Sequence, residues 1–294
     1  RGATAYEQDE NDKAAITDIN EKNYSRTDAA INRLYDRGRQ WSLDYFETIY
    51  ARLGTKFDRY FFESEAGADG LTLVRAHPDV FEESEGAVIF PGERHGLHNR
   101  VFINSRGLPT YEAKELGLNQ KKFALYPELA QSIIVTGNEI VDYFKVLLKA
   151  MALTIPEVAS KTFHVAHGML RLPTGKMSSR TGDIITAEEL IDQTKAKLRQ
   201  IESEHSNLSA EEREANLEPI ALGAIKYSIL KQSPGRDIVF DFDKSLSVHG
   251  DSGPYLQYTY ARMRSIVTKS KGKSIKSKAG KLDQSEELAL IKQL

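Results

Sequence analysis

The chain has 294 residues, 40 basic against 42 acidic, a net charge of −2, 40% apolar residues and no cysteine. That length is the prior for about two domains, the composition is that of a folded chain, and the charge excludes a globally basic nucleic-acid binder while leaving room for a local basic face. Without cysteine there is no disulfide framework, thiolate zinc site or cysteine nucleophile, as in a reducing cytoplasm, and no apolar run approaches the roughly 20 residues of a membrane span. The first residue is Arg1 and no signal-peptide pattern follows it, so upstream sequence is expected to have been removed.

Residues 1–53 are charged and helix-prone, with Ile31, Leu34 and Tyr35, then Trp41, Tyr45, Ile49 and Leu53, at helical spacing. The aromatic run 57–63 reads as a strand. Residues 66–107 are rich in glycine and read as irregular, with short strands at 87–90 and 100–104. A turn at Ser105-Arg106-Gly107 leads to a helix through Leu116. The β-branched run 132–136 predicts a buried parallel strand. A helix over 139–152 follows, and residues 162–172 read as one further strand. Thr186 and Ser209 each precede a glutamate by three residues, the capping-box spacing that opens a helix. The second of these helices runs to about Lys231. Another spans 252–270, with Leu256, Tyr260, Met263 and Val267 as its apolar stripe. Residues 269–281 read as a Lys/Ser-rich linker, and 286–294 as a helix that stops early.

Between the strand ending at 172 and the helix after Thr186 lies Pro173-Thr174-Gly175-Lys176-Met177-Ser178-Ser179-Arg180-Thr181-Gly182-Asp183. Cationic and hydroxyl donors flanked by glycine suit a polyphosphate. Lys-Met-Ser-Ser resembles the "KMSKS" motif of class I aminoacyl-tRNA synthetases, in the shortened form common in the arginine enzyme. The run His164 to Pro173 resembles the strand ahead of that motif in arginyl-tRNA synthetases. Trp41 to Phe46, Leu108 to Tyr111, Ala224 to Tyr227, Phe240 to Asp243 and Gly253 to Tyr258 resemble the same family, in the family's order and over nearly the whole chain.

The resemblance implies an α/β fold: the second half of a Rossmann-like parallel-sheet catalytic domain over 1–205, with a helical insertion. A helical segment over 206–268 would open the anticodon-binding bundle, followed by the linker and truncated helix at 269–294. The "HIGH" motif and most of the anticodon-binding domain would lie outside the chain, so the chain alone is expected to bind ATP weakly and not to charge tRNA. The implied activity of the whole protein is ATP-dependent ligation of arginine to its tRNA through an arginyl-adenylate, with Mg2+ accompanying ATP, in a cytoplasmic monomer. Lys176, Ser178 and Ser179 would stabilise the departing pyrophosphate by countercharge, and Met169, Leu170, Met177 and Arg180 would complete the ATP site. Tyr111 would line the arginine pocket. Glu115 would pair with the substrate guanidinium where the family usually carries aspartate; at i, i+4 the two share a helix face. Gln257, Tyr258 and Arg262, with Arg264 nearby, would touch the tRNA stem.

The family's glutamine three residues before Tyr143-Phe144 is replaced by Ile140, which is expected to pack, with Asn138 or Glu139 as polar substitutes. His95 and His98 have the histidine spacing of "HIGH" but a misplaced glycine and read as a loop. His164 and His167 fall on opposite faces of a strand and are not expected to hold a metal. Two other readings stand beside the enzyme: a non-catalytic paralogue acting as an RNA- or protein-binding module, which the substitutions at Glu115 and Ile140 favour, and a class I synthetase for another amino acid, which the polar Tyr111–Glu115 face disfavours.

Overall fold

The computed structural model describes residues 2–171, 173, 185–201 and 209–270. The chain divides into two compact units, residues 1–65 and 66–294.

The first unit is helical: α1 (Gly2–Gln8), α2 (Glu10–Ser25) and α3 (Ala29–Leu53). Asp9 and Asp28 cap α2 and α3, each accepting two backbone N–H groups of the first turn. Residues 57–62 are irregular, and a helix begins at Glu63, so the strand expected over 57–63 does not form. Its aromatic rings instead turn back locally: Phe57 meets Tyr50 edge-on at 4.8 Å, and Tyr60 stacks on Tyr50 at 6.4 Å. The Arg39 guanidinium lies 3.9 Å from the centre of the Phe62 ring. Among the described residues no strand pairs with this segment.

The second unit opens within α4 (Glu63–Arg75), where the sequence reading expects irregular chain. Gly67 and Gly70 cause that misreading. A Cβ on Gly70 would lie 1.9 Å from the Ala113 carbonyl oxygen, and one on Gly117 would lie 2.4 Å from the Ala66 carbonyl oxygen. The glycines therefore let two helix backbones touch rather than end a helix. Strands β1 (Glu82–Ser84), β2 (Ala87–Phe90) and β3 (Arg100–Ile103) form an antiparallel meander. It is followed by α5 (Tyr111–Leu125), which runs past the expected end at Leu116.

Strand β4 (Ser132–Gly137) leads through a 3-10 turn (Asn138–Ile140) into α6 (Val141–Thr154). The short α7 (Pro156–Ser160) and β5 (Thr162–His167) follow, and β4 and β5 pair in parallel, Ser132 opposite Thr162. Parallel pairing agrees with the sequence; full burial does not. Ser132 and Thr162 are buried, whereas on the other face Ile133 is 59% and Val135 62% exposed and Phe163 and Val165 are open, because α6 covers one side only: Phe144 stacks on His164 at 3.8 Å. The core lies among α4, the meander, α5 and α6, where Phe81, Phe90 and Phe102 meet Leu73, Val74, Leu116, Leu147 and Met151.

The run expected as one strand over 162–172 breaks at Gly168, where a Cβ would lie 1.8 Å from the Arg236 carbonyl oxygen. Beyond the break, β6 (Leu170–Arg171) belongs to a different parallel pair, with β7 (Ile238–Val239). Helices α8 (Ala187–Ile201) and α9 (Ala210–Leu230) start at the two capping boxes foreseen at Thr186 and Ser209. They are bridged by Lys195–Glu218 at 2.9 Å and Arg199–Glu214 at 2.5 Å. After β7 come α10 (Phe242–Ser245) and α11 (Gly253–Ser270). The predicted stripe of α11 is not buried: Leu256, Tyr260, Met263 and Val267 are all exposed. The expected linker and final helix beyond 270 lie outside the described residues. No helix among the described residues is long and apolar enough to cross a membrane.

Candidate functional site

Lys176, Met177, Ser178, Ser179 and Arg180 lie outside the described residues. What is described is the chain that delivers them. Met169 donates its N–H to the Asp237 carboxylate at 3.0 Å and accepts from the Ile238 N–H at 2.9 Å; the Arg171 carbonyl accepts from the Phe240 N–H at 2.8 Å. With both Met169 and Arg171 bonded toward β7, strand alternation turns the peptide groups of Leu170 the other way. The Met169 side chain is exposed.

Asp237 gathers this region. Its carboxylate pairs with Arg171 at 2.5 Å and accepts from the Asn138 amide at 3.5 Å, while that amide also reaches the Gly235 carbonyl at 3.4 Å. Asn138 follows the carboxyl end of β4, and Met169 the carboxyl end of β5, the end at which open α/β sheets bind ligands. The Met169 N–H holds the Asp237 carboxyl below its ordinary value, with Arg171 and Asn138 adding to the effect and desolvation opposing it. A carboxylate with a depressed native pKa stabilises the fold above its unfolded value of 3.8 and loses that contribution as pH falls through the lower native value. Asp237→Asn is therefore expected to flatten the acid limb of stability below about pH 4, followed by near-ultraviolet circular dichroism; an unchanged limb assigns acid sensitivity to other carboxylates.

Tyr111 and Glu115 open α5 one turn apart, as the spacing requires. Tyr111 is 69% exposed, with Lys114 Nζ 5.7 Å from its ring centre. Glu115 is half-buried, and its Oε1 accepts from Asn119 Nδ2 at 3.0 Å. Four further side chains, given no role in the sequence reading, surround them: Tyr143, Arg100, Glu112 and Lys122. The Tyr143 hydroxyl donates to the Tyr111 carbonyl at 3.2 Å. Arg100 pairs with the buried Glu112 at 3.5 Å and lies 5.8 Å from the Tyr143 ring centre. Burial pushes the Tyr143 hydroxyl far above the usual tyrosine range, and Glu115 and Glu112 push it in the same direction, so it stays a donor. Lys122 is pulled down by burial against the attraction of Glu115, and its Nζ donates to Ser132 Oγ at 3.0 Å. The helical period would place Lys122 on the face of Glu115, but no sequence signal points to Arg100 or Tyr143.

Ile140 does not pack into the core as expected; it is 36% exposed in the 3-10 turn. Of its two expected substitutes, Asn138 is bonded to Asp237 as above, and the Glu139 carboxylate lies over Gly137. His95 sits in a 3-10 turn and stacks on Phe90. His164 accepts or donates to Thr136 Oγ1 at 2.7 Å, and burial lowers its pKa. No group of three or more His, Asp or Glu among the described residues is placed to hold a metal ion.

On α11, Tyr258 is exposed, and its hydroxyl accepts from Arg262 at 3.1 Å. Gln257 turns inward: its Nε2 donates to the Pro219 carbonyl of α9 at 3.1 Å, in the space left by Gly223. Its donor is thus used inside the fold, joining α11 to α9.

The family described as "tRNA synthetases class I (R), catalytic domain" matches residues 12–242. The arginine–tRNA ligase of Flavobacterium psychrophilum is 32% identical over 247 residues, covering 82% of this chain and 41% of the relative. That of Treponema denticola is 33% identical over 259 residues, covering 86% and 44%. The chain thus spans less than half the length of these curated relatives. Among solved structures, the arginyl-tRNA synthetase of Plasmodium falciparum superposes with a TM-score of 0.68 at 21% identity, over 88% of this chain and 44% of that one. The Thermus thermophilus arginyl-tRNA synthetase gives 0.63 at 24% identity, over 88% and 52%. These two likenesses establish the fold.

Proposed function

Starting from a chain that belongs to the class I (R) tRNA synthetase catalytic-domain family, we propose that it is part of an enzyme joining arginine to its tRNA at the expense of ATP. The observation that carries this reading is the family match, which spans residues 12–242. The arginine carboxylate attacks the α-phosphorus of ATP, supplied with its Mg2+, and pyrophosphate leaves. The tRNA ribose hydroxyl then attacks the activated carbonyl of the arginyl-adenylate, and AMP leaves. Lys176, Ser178 and Ser179 stabilise the pyrophosphate by charge and hydrogen bonds. Met177 and Arg180 complete that clamp. Leu170, whose peptide groups turn away from β7, and Met169 lie along the adenine edge.

The arginine side chain extends toward α5. Glu115 accepts its guanidinium, and the exposed Tyr111 lines the way in, its carbonyl held by Tyr143. Tyr258 and Arg262 meet the tRNA, while Gln257 acts by fixing α11 on α9. The parallel β4–β5 pair with one open apolar face supports its assignment to half of a larger doubly wound sheet, since parallel sheets are normally covered on both faces. Both halves of such a sheet line the ligand crevice, so the 294 residues alone bind ATP weakly and do not charge tRNA.

The test is arginine-dependent charging of tRNA by the full-length protein, with lysine and citrulline as controls. Charging with arginine alone is expected. Binding of tRNA without charging would instead favour a non-catalytic module, and charging with another amino acid would reassign the pocket.

A further inference from the structure

We infer that Asn119 is a positioning residue for Glu115, and that this pair, rather than Glu115 alone, sets the reach of the carboxylate toward a guanidinium. The inference rests on the proposed role of Glu115. Asn119 is fully buried, one helical turn beyond Glu115. Its amide nitrogen donates twice to the same residue, to the Glu115 carbonyl oxygen at 2.8 Å and to Oε1 at 3.0 Å. The amide has one sensible orientation, because turning it over would set Oδ1 against two acceptors.

In that orientation Oδ1 is sealed from solvent with no donor among the described residues. A buried acceptor without a partner is destabilising, so the amide is poorly explained as a device for stability. Its donor end explains it better. Glutamate has one more rotatable bond than aspartate, and a side chain left free must be ordered each time a ligand binds. The Asn119 tether orders it beforehand. Lys122, at the next position on the same face, adds a positive charge that acts on Glu115. The carboxylate is thus steadied from the C-terminal side of α5, and Tyr143 holds the Tyr111 carbonyl at the N-terminal side.

The test is steady-state charging by the full-length protein, with arginine and ATP varied separately and melting temperatures recorded. Asn119→Ala is expected to raise the arginine KM about three- to tenfold, the size of ordering one long side chain, with the ATP KM unchanged. Asn119→Leu, which fills the space without a donor, should do the same if the alanine variant folds poorly. In a Glu115→Asp background the shortened carboxylate no longer reaches the tether, so Asn119→Ala should add nothing to the arginine KM. An equal rise in both KM values, or the same rise with glutamate or aspartate at 115, reduces Asn119 to a packing role and overturns the inference. A wild-type protein that charges arginine and loses this on Glu115→Ala, yet ignores both Asn119 variants, overturns the inference alone. A wild-type protein that does not charge arginine overturns the role of Glu115 and the inference with it.

Discussion

Replacing Lys176 with alanine in the full-length protein is expected to lower the rate of tRNA charging about 100- to 1,000-fold, the loss typical of removing one donor aimed at developing charge. The physical ground is the leaving group. Pyrophosphate departs carrying charge that the ground state of ATP does not place on the same oxygens, so a cation there acts mainly on the transition state and the loss falls on kcat. Stability is expected to change far less than the rate, because the Gly-, Ser- and charge-rich sequence around Lys176 has no apolar pattern that would bury its side chain. Lys176→Arg is expected to recover part of the rate, since charge is kept while the shape and hydration of the donor differ. Rates with saturating and limiting ATP, beside a thermal melt, separate these effects. Normal charging by the alanine variant would remove Lys176 from the mechanism.

The second large effect is expected at Gly70. Two forces oppose each other there. Alanine in a helix interior is favoured over glycine by about 1 kcal/mol, yet its Cβ would stand 1.9 Å from the Ala113 carbonyl oxygen and 2.5 Å from the carbonyl carbon. Those atoms are backbone, so no side chain can swing aside; α4 and α5 must separate. Overpacking of this kind costs about 3 kcal/mol or more, so destabilisation wins. The net loss of about 2 kcal/mol should lower the melting temperature by about 4–8 °C in a unit of this size.

On the role proposed for Glu115 the effect should extend to function, because α5 carries Glu115 and Asn119 and its displacement would weaken arginine binding. Gly38, inside α3 with nothing among the described residues within 4 Å of its notional Cβ, is the control: Gly38→Ala should stabilise by about 0.5–1 kcal/mol. If Gly70→Ala melts like the parent, the close approach of α4 and α5 is wrong.

The contrast between these two glycines shows which parts of the protein were legible beforehand. Both are helical, although the sequence reads as helix around Gly38 and as irregular around Gly70; the physical difference is what stands opposite. Gly70 and Gly117 permit backbone contact, and Gly168 permits the approach of Arg236. A glycine-rich run reads as irregular chain, which hides α4, whereas a single glycine inside a β-prone run reads as strand, which hides the break between β5 and β6. The aromatic segment 57–62 failed for a related reason: β propensity expresses packing on a neighbouring strand, and among the described residues no such neighbour pairs with it.

The candidate site divides along the same line. That Tyr111 and Glu115 share a helix face follows from the helical period alone. That the Glu115 carboxylate is tied to Asn119, that Tyr143 clasps the Tyr111 carbonyl, and that Asp237 joins β4, β6 and β7 required chain segments to meet across 32 to 99 residues in all but the first case.

By itself, the sequence determined what is decided within a few residues or by an ordered series of motifs. These are the capping boxes at Thr186 and Ser209, whose partners stand three residues away, the β-branched strand at 132–136, and membership of the family matched over 12–242. Only the tertiary structure decided which glycines are contacts, which face of a strand is covered, that Gln257 turns inward, and that Tyr143 holds the Tyr111 carbonyl. Local hydrogen bonds and side-chain periods are properties of one segment. Close approach, burial and the pairing of distant polar groups are properties of two, and they exist only once the second has arrived.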